Sequence, residues 1–259
     1  MRIQVLVSTM HQTDHSLLEK MNIQTDAIIV NQCDRNEIEE FEYKGHSIKW
    51  LSLKERGVGL SRNTALMRAD ADILLFADDD IVYCDGYSEM VEKFFNQNPK
   101  TSFAVFNFKS LNPQRPEYID LKTKKLNWAN CLRYGAFRIA VRREKIYKSN
   151  INYSLLFGGG APYQAGEDNL FITNCLQKGL KGKASSLMLG TVKQEESTWF
   201  KGYNEKYYTD RGVLFASMYG RWSKLIILLF ELKSILKPNT ISLKQRIKLE
   251  FKGIKEFKK

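Results

Sequence analysis

Ile73-Leu74-Leu75-Phe76-Ala77-Asp78-Asp79-Asp80 sets five apolar residues directly against three carboxylates. The apolar run reads as a buried strand, and the triplet stands at its end. Three like charges this close repel unless something positive lies among them. A divalent cation bound by oxygen ligands supplies that charge, and a diphosphate is its natural companion. Alternate side chains of an extended segment point the same way, so Asp78 and Asp80 are expected to face one crevice. A solvated turn with helix-capping carboxylates has the same composition. The apolar residues before the triplet favour the cation.

Outward from this stretch, the first 110 or so residues alternate apolar runs with helical patterns. Strands are expected at Ile3–Val7, Ala27–Val30, Ile48–Leu51, Ile73–Phe76 and Phe103–Phe108, and helices at Ser16–Met21, Leu60–Ala69 and Tyr87–Asn96. The rhythm implies an α/β layered sheet, mainly parallel, with ligands at the carboxyl ends of its strands. Three of those ends carry polar sets: Ser8-Thr9, Asn31-Gln32-Cys33-Asp34 and the aspartate triplet. If the strands are parallel neighbours, all three sets meet at one crevice.

Beyond residue 110 the rhythm changes. Pro113 and Pro116 mark a turn or loop, a strand is expected around Ala136–Val141, and Gly158-Gly159-Gly160-Ala161-Pro162 reads as a mobile loop. Gly166-Glu167-Asp168 then opens a helical pattern. Acidic residues suit any helix start. The glycine-rich loop just before them favours a functional reading, because such loops fold over substrates. Gly57-Val58-Gly59-Leu60-Ser61-Arg62-Asn63 enters another helix. It matches neither phosphate-binding fingerprint; a helix N-terminus with Arg62 suits phosphates, and a turn with Ser61 as N-cap explains it equally. In Gln194-Glu195-Glu196-Ser197-Thr198-Trp199-Phe200, Trp199 is either an aromatic anchor or a platform for a sugar ring.

Composition narrows the class. The chain has 259 residues, 43% of them hydrophobic, which is enough for a sizeable core. Cys33, Cys84, Cys131 and Cys175 form no C-x-x-C pair and only three histidines are present, so neither a zinc site nor a disulfide framework is expected. No signal-peptide pattern opens the sequence, and Leu225–Phe230, the longest apolar run, is too short to span a bilayer. A cytoplasmic location is expected. Net charge is +11, and residues 221–259 carry +8 of it, from 11 Lys/Arg against 3 Asp/Glu. This C-terminal stretch reads as a basic helical tail with Leu243, Ile247, Phe251, Ile254 and Phe257 on one face. Its apolar spacing suits an anionic membrane surface better than nucleic acid. An ordinary helix packed on the domain, with its lysines solvated, fits the same pattern.

Taken in order, these motifs resemble family 2 glycosyltransferases with the GT-A fold, as found in bacterial capsule, exopolysaccharide and O-antigen synthesis. The resemblance rests on Val7-Ser8-Thr9-Met10, Ile28–Asp34, Gly59–Leu66, Leu75–Asp80 and Gly166–Leu170. It implies a Rossmann-like, mainly parallel nucleotide-binding sheet with helices on both faces. Residues 1–220 would form the catalytic domain, with 1–110 binding the nucleotide-sugar and 111–220 the acceptor, and 221–259 would be the tail. It also implies that Ser8, Thr9, Asn31, Gln32, Asp34, Arg62, Asn63, Asp78 and Asp79 line the nucleotide pocket. Asn31-Gln32 stand where the family often has two acids, which leaves the base open, with uracil favoured. Asp80 and Asp78 are implied as holders of Mn²⁺ or Mg²⁺, Asp168 as catalytic base and Glu167 as its neighbour. No histidine follows His46, so Gln194 or Glu195 is expected near the place where related enzymes carry one.

The activity implied is inverting, metal-dependent transfer of a sugar from a nucleotide-diphosphate donor, a UDP-sugar above all, to a lipid-linked glycan acceptor at the inner membrane face. A metal-dependent nucleotidyltransferase, or a non-enzymatic protein binding anionic surfaces through its tail, are the alternatives. Donor and acceptor specificity are expected in Ser110–Lys125 and Phe157–Gln164.

Overall fold

The computed structural model describes residues 1–194, 202–233 and 241–257. From the N-terminus the chain forms β1 (Ile3–Met10), α1 (Leu17–Lys20), β2 (Asp26–Gln32), β3 (Glu37–Tyr43), β4 (His46–Leu53), α2 (Val58–Arg68) and β5 (Ile73–Asp78). Then come β6 (Ile81–Tyr83), α3 (Tyr87–Gln97), β7 (Phe103–Ser110), β8 (Lys124–Lys125), β9 (Ile139–Arg142) and α4 (Arg143–Lys148). The last elements are α5 (Glu167–Gln177), β10 (Gly182–Val192), α6 (Glu205–Tyr219), α7 (Ser223–Lys233) and α8 (Leu243–Phe257).

Among the described residues ten strands make one sheet, in the order β3-β4-β2-β1-β5-β9-β7-β10-β6, with β8 on β10. The run β4-β2-β1-β5 is parallel throughout. Beyond β5, β9 enters antiparallel between β5 and β7, and the second half of the sheet is mixed. Alternate residues of the central strands feed two different cores. Val5, Val7, Ile29 and Trp50 face α1 and α3, while Leu6, Ile28, Leu51 and Phe76 face α2 and α5. A strand with both faces buried needs an unbroken apolar run, which is why β1, β2 and β5 read so clearly in sequence. In α3, Tyr87, Val91, Phe94 and Phe95 recur at helical spacing and form its buried stripe.

Strand β3 has no such run. Its sequence, Glu-Ile-Glu-Glu-Phe-Glu-Tyr, is half-exposed and pairs antiparallel with β4 at the sheet edge. Lys44 (φ 50°) and Gly45 (φ 78°) join the two strands, both left-handed as a two-residue hairpin turn requires.

The basic stretch is not a detached tail. α8 lies across α6, and their backbones meet at two glycines. A Cβ on Gly212 would stand 2.1 Å from the Glu250 carbonyl oxygen, and one on Gly253 would stand 2.0 Å from that of Thr209. Between the three helices lies a buried charge network. Arg211 Nε donates to Glu250 Oε1 at 2.6 Å, Arg211 also pairs with Glu231, and Arg246 Nε sits 3.0 Å from Glu231 Oε2. Two guanidinium groups face two carboxylates, so the cluster is formally neutral. The apolar row expected to face a membrane turns inward in part: Ile254 is buried, Ile247 and Phe251 are half-buried, and only Phe257 is exposed. The physical reason is that α8 packs its Gly253 side against Thr209 and Val213 of α6, and Ile254 joins the apolar cluster that contains Val213.

Alanine normally stabilises a helix relative to glycine by about 1 kcal/mol. Here the sign reverses, because the obstruction is backbone. Gly253→Ala is expected to destabilise by about 1–3 kcal/mol, read as a lower denaturant midpoint. Lys252→Ala, on the exposed face one residue away, is expected to leave the midpoint unchanged.

Candidate active site

The parallel register lines up the polar strand ends. Ser8 of β1 is level with Asp78 of β5, Thr9 with Asn31 of β2, and Asn31 with Ser52 of β4. All three polar sets therefore share one rim of the sheet. Side-chain hydrogen bonds then divide this row into groups that hold the rim together and groups that remain available.

Most of the residues expected to line a nucleotide pocket hold the rim. Asn31 is fully buried and saturated: its Oδ1 accepts from the Gln12 amide at 2.9 Å, and its Nδ2 donates to the Gln12 carbonyl at 2.9 Å and Ser52 Oγ at 3.2 Å. Gln32 Oε1 accepts from the Gly57 amide at 2.8 Å and anchors the entry to α2. Ser8 Oγ accepts from Ser61 Oγ at 2.9 Å. Asn63 brackets the Tyr153 backbone, donating to its carbonyl at 2.9 Å and accepting from its amide at 2.8 Å. These side chains meet protein partners where ligand contacts were expected, because a crowded strand end must satisfy its own buried polar groups. Asp34 is exposed beyond the end of β2.

The side chain of Arg62 is only 4% exposed and is engaged within the protein. It spans two carboxylates, with Asp78 at 2.7 Å and Glu167 at 2.8 Å, and lies over the Tyr153 ring at 5.2 Å. Burial alone would lower its pKa. The charges of Asp78 and Glu167 outweigh that and raise it. The guanidinium thereby ties the end of β5 to the first turn of α5. The N-terminus of α2 is also occupied, since the Val58 amide donates to the Gly159 carbonyl at 2.9 Å. Helix α2 begins after Gly57, so Ser61 does not cap it. The glycine-rich loop thus folds down onto α2. Gly158, at φ 102°, has no room for a Cβ, which would meet Glu167 Oε2 and Val58 Cγ1, each at 2.7 Å.

Three carboxylates remain after this accounting. Asp79 is exposed and accepts from Thr9 Oγ1 at 2.5 Å. Asp80 pairs with no cationic side chain among the described residues, and its carboxyl is pushed up to about 6 by burial and by the charges of Asp78 and Asp79. Asp168, at the first turn of α5, accepts from the Asn169 amide at 2.6 Å. Burial, then the neighbouring Glu167 charge, pushes it up to about 7.

Among the described residues no group of three or more His, Cys, Asp or Glu gathers as a metal cage. The donor set suits instead a hard cation held by one or two carboxylates and completed by ligand phosphates, the usual arrangement for Mg²⁺-type ions. Asp80 fits that role, since its charge is uncompensated. Asp78 enters it already paired with Arg62.

Beside Asp80 the end of β10 closes the rim. The Lys193 amide donates to the Asp80 carbonyl at 3.0 Å, and Gln194, at φ 50°, gives its backbone N–H to the Asp80 carboxylate. The Gln194 side chain donates to Glu117. Glu117 is held in turn by Arg138 Nη1 at 3.2 Å, and Arg138 also donates to the Phe106 carbonyl at 2.7 Å and to Asn107 Oδ1 at 3.0 Å. Glu117 and Arg138 were not anticipated. The signal lay in an arginine embedded in Ala136-Phe137-Arg138-Ile139-Ala140-Val141, where a buried charge needs a partner. Glu195 and Trp199 lie outside the described residues.

The sequence matches the profile described as Glycosyl transferase family 2 over residues 7–150. Among solved structures, the chain is similar to S. aureus TarS. For TarS 1–349 in complex with UDP-GlcNAc the TM-score is 0.63 at 15% identity, covering 99% of this chain and 71% of that one. For S. aureus TarS the values are 0.65 and 14%, covering 93% and 44%. For TarS 1–349 in complex with UDP they are 0.64 and 13%, covering 95% and 77%. At these identities the likeness is one of fold. No curated protein matches. The match spans more than half of the chain and contains the aspartate triplet, which sets aside the nucleotidyltransferase and non-enzymatic readings: the chain belongs to glycosyl transferase family 2, with a GT-A α/β fold.

Proposed function

We propose that the protein transfers a sugar from a nucleotide-diphosphate donor, a UDP-sugar, to a hydroxyl of a lipid-linked glycan, with inversion at the anomeric carbon. The product would serve bacterial surface polysaccharide synthesis at the cytoplasmic face of the membrane. The observation that carries this reading is the Asp78–Arg62–Glu167 bridge. One guanidinium group joins the two segments that bear Asp80 and Asp168. In this reading an uncompensated carboxylate suited to a cation and a carboxylate suited to proton transfer serve one crevice, and both feel the charge of Asp78. The fold shared with a protein solved in complex with UDP-GlcNAc supports the choice of donor.

In this reading the donor diphosphate lies along the β1–β5 rim, with Asp79 and Thr9 beside it and Asp80 holding Mn²⁺ or Mg²⁺. The cation, when bound, neutralises charge that develops on the departing diphosphate. Asp168 takes the proton of the acceptor hydroxyl, which is otherwise a poor nucleophile. A base works best when its pKa lies near the working pH, and a carboxyl near 7 meets that condition where an ordinary one at 3.8 does not. Glu167 serves the base indirectly. Its negative charge helps keep the Asp168 pKa high, while Arg62 fixes its position. The Glu117–Gln194 pair borders the crevice beside Asp80 and belongs to the surface that selects the donor sugar.

Asp168→Asn is expected to lower kcat by about a hundred- to ten-thousand-fold, with donor binding retained in a thermal-shift assay. The wild-type rate is expected to rise with pH through about 7, as Asp168 loses its proton. The same raised pKa means that the fold favours protonated Asp168. Stability is therefore lost as pH climbs from the ordinary carboxyl range through 7. The Asn variant escapes that loss, so its Tm is expected to exceed that of the wild type in alkaline buffer. A flat wild-type pH profile would remove Asp168 from the role of base.

Asp80→Asn is expected to abolish the dependence of transfer on added Mn²⁺ or Mg²⁺ and to leave only residual activity. Unchanged cation dependence, measured as nucleoside diphosphate released, would count against this assignment. Arg62→Met leaves two carboxylates facing each other without their cation. It is expected to cost about 3–5 kcal/mol in chemical denaturation, because removing one partner strands buried charge.

A further inference from the structure

Helix α7 buries one narrow stripe. Ser223, Ile227 and Glu231, at i, i+4 and i+8, face the bundle. The opposite side is apolar and uncovered among the described residues, with Leu225 50%, Leu228 39%, Leu229 49% and Leu232 60% exposed. Trp222, just before the helix, is 56% exposed. Contiguous exposed leucines of this kind mark a surface that meets something.

What it meets is indicated by the neighbouring helix. α8 lies beside α7 along its length: the Lys224 ammonium sits over the Phe251 ring at 5.6 Å, and Arg246 pairs with Glu231 at the other end. The inner side of α8 carries the buried Arg246, Glu250, Gly253 and Ile254, while Lys244, Lys248, Lys252 and Lys255 are all exposed. Lys224, Lys244, Lys248, Lys252 and Lys255 share one surface groove, floored by Ile247 and Phe251. The bundle thus presents a strip of leucines next to a row of ammonium groups. That pairing matches the two layers of a lipid surface, acyl chains beneath and anionic headgroups above.

The alternative of a spanning helix fails on geometry. The stretch Glu205–Lys233 is long and apolar enough by composition to cross a bilayer. Its first half, however, is spent on the domain core, burying Val213, Phe215 and Met218 together with Asp210, and the path breaks at Gly220 (φ 52°, ψ −122°). The described part of the remaining helix α7, with 11 residues, spans about 16 Å.

We propose that α7 lies in the interfacial plane of an anionic bilayer, with Leu225, Leu228, Leu229 and Leu232 among the acyl chains and the α8 lysines at the headgroups. This assigns the attachment to a helix and a face other than the apolar row of α8. It does not depend on the chemistry assigned to Asp80 or Asp168.

Truncation at Gly220 is a poor test, since it would strip α6 of α8. Point substitutions on the full-length chain avoid that. Flotation with phosphatidylglycerol/phosphatidylcholine vesicles is expected to carry the wild type, and pure phosphatidylcholine vesicles to carry far less. The double variant Leu225→Glu/Leu229→Glu is expected to weaken flotation on the order of a hundredfold. Lys248→Glu/Lys252→Glu is expected to weaken it on the order of tenfold or more, and added salt to act in the same direction. Thermal unfolding of each variant, at a midpoint matching the wild type, shows that the substituted faces are exposed ones. Equal flotation of wild type and the leucine variant overturns the proposal. So does equal binding to neutral and anionic vesicles. So does a wild-type dimer in size-exclusion chromatography that the leucine variant dissolves while neither protein floats, which would identify the occupant as a second copy of the chain.

Discussion

The buried guanidinium of Arg62 is the interaction on which the rest of the crevice depends. It comes from the second turn of α2 and satisfies Asp78 at the end of β5 and Glu167 at the start of α5. Those carboxylates are 16 and 105 residues away in sequence, respectively, from the group that joins them. Without the cation, three acidic residues at one strand end and two at a helix start would repel across a low-dielectric gap. With it, one carboxylate on each side has a partner. Burial, together with Asp78 and Asp79 beside Asp80 and Glu167 beside Asp168, raises the proton affinity of those two carboxyls, and the guanidinium charge tempers the rise at Asp168.

Sequence patterns disclose some of this and conceal the rest, for physical reasons. Strands β1, β2, β4 and β5 are visible because burial on both faces demands continuous apolar runs. The polar residues at their ends are visible because they interrupt those runs. What sequence does not disclose is the direction each polar side chain takes. Asn31, Gln32, Arg62 and Asn63 have the residue types of a ligand pocket, yet each is consumed by a partner from a distant segment. Strand β3 escapes notice because one face is solvated and glutamates fill it. Arg138 escapes because its partners, Glu117, Phe106 and Asn107, are brought near only by the sheet order.

The C-terminal helices show the same limit in another form. A count of charges makes residues 221–259 a basic appendage. In the fold, Arg246 and Glu231 are withdrawn into a neutral network with Arg211 and Glu250, and the remaining cations on α8 are lysines that reach solvent. Burial of that network is costly unless all members are present, which favours a single docking register for α8 on α6. The close glycine contacts at Gly212 and Gly253 demand the same register. Packing and electrostatics agree on the placement, and that placement determines which helix face is left outward.

Strand β3 has a further role that concerns other molecules rather than ligands. A ten-stranded sheet has two open edges, and each offers unpaired backbone groups to any passing strand. At one edge, β3 carries Glu37, Glu39, Glu40 and Glu42 in seven residues. A second copy docking there would bring like charges face to face. At the other edge, among the described residues, β10 is flanked by β6, three residues long, and β8, two residues long, which offer little length to pair. The sheet therefore protects itself against edge-to-edge aggregation by charge on one side and by brevity on the other. The glutamates that hid β3 in the sequence are the same residues that keep its edge from polymerising.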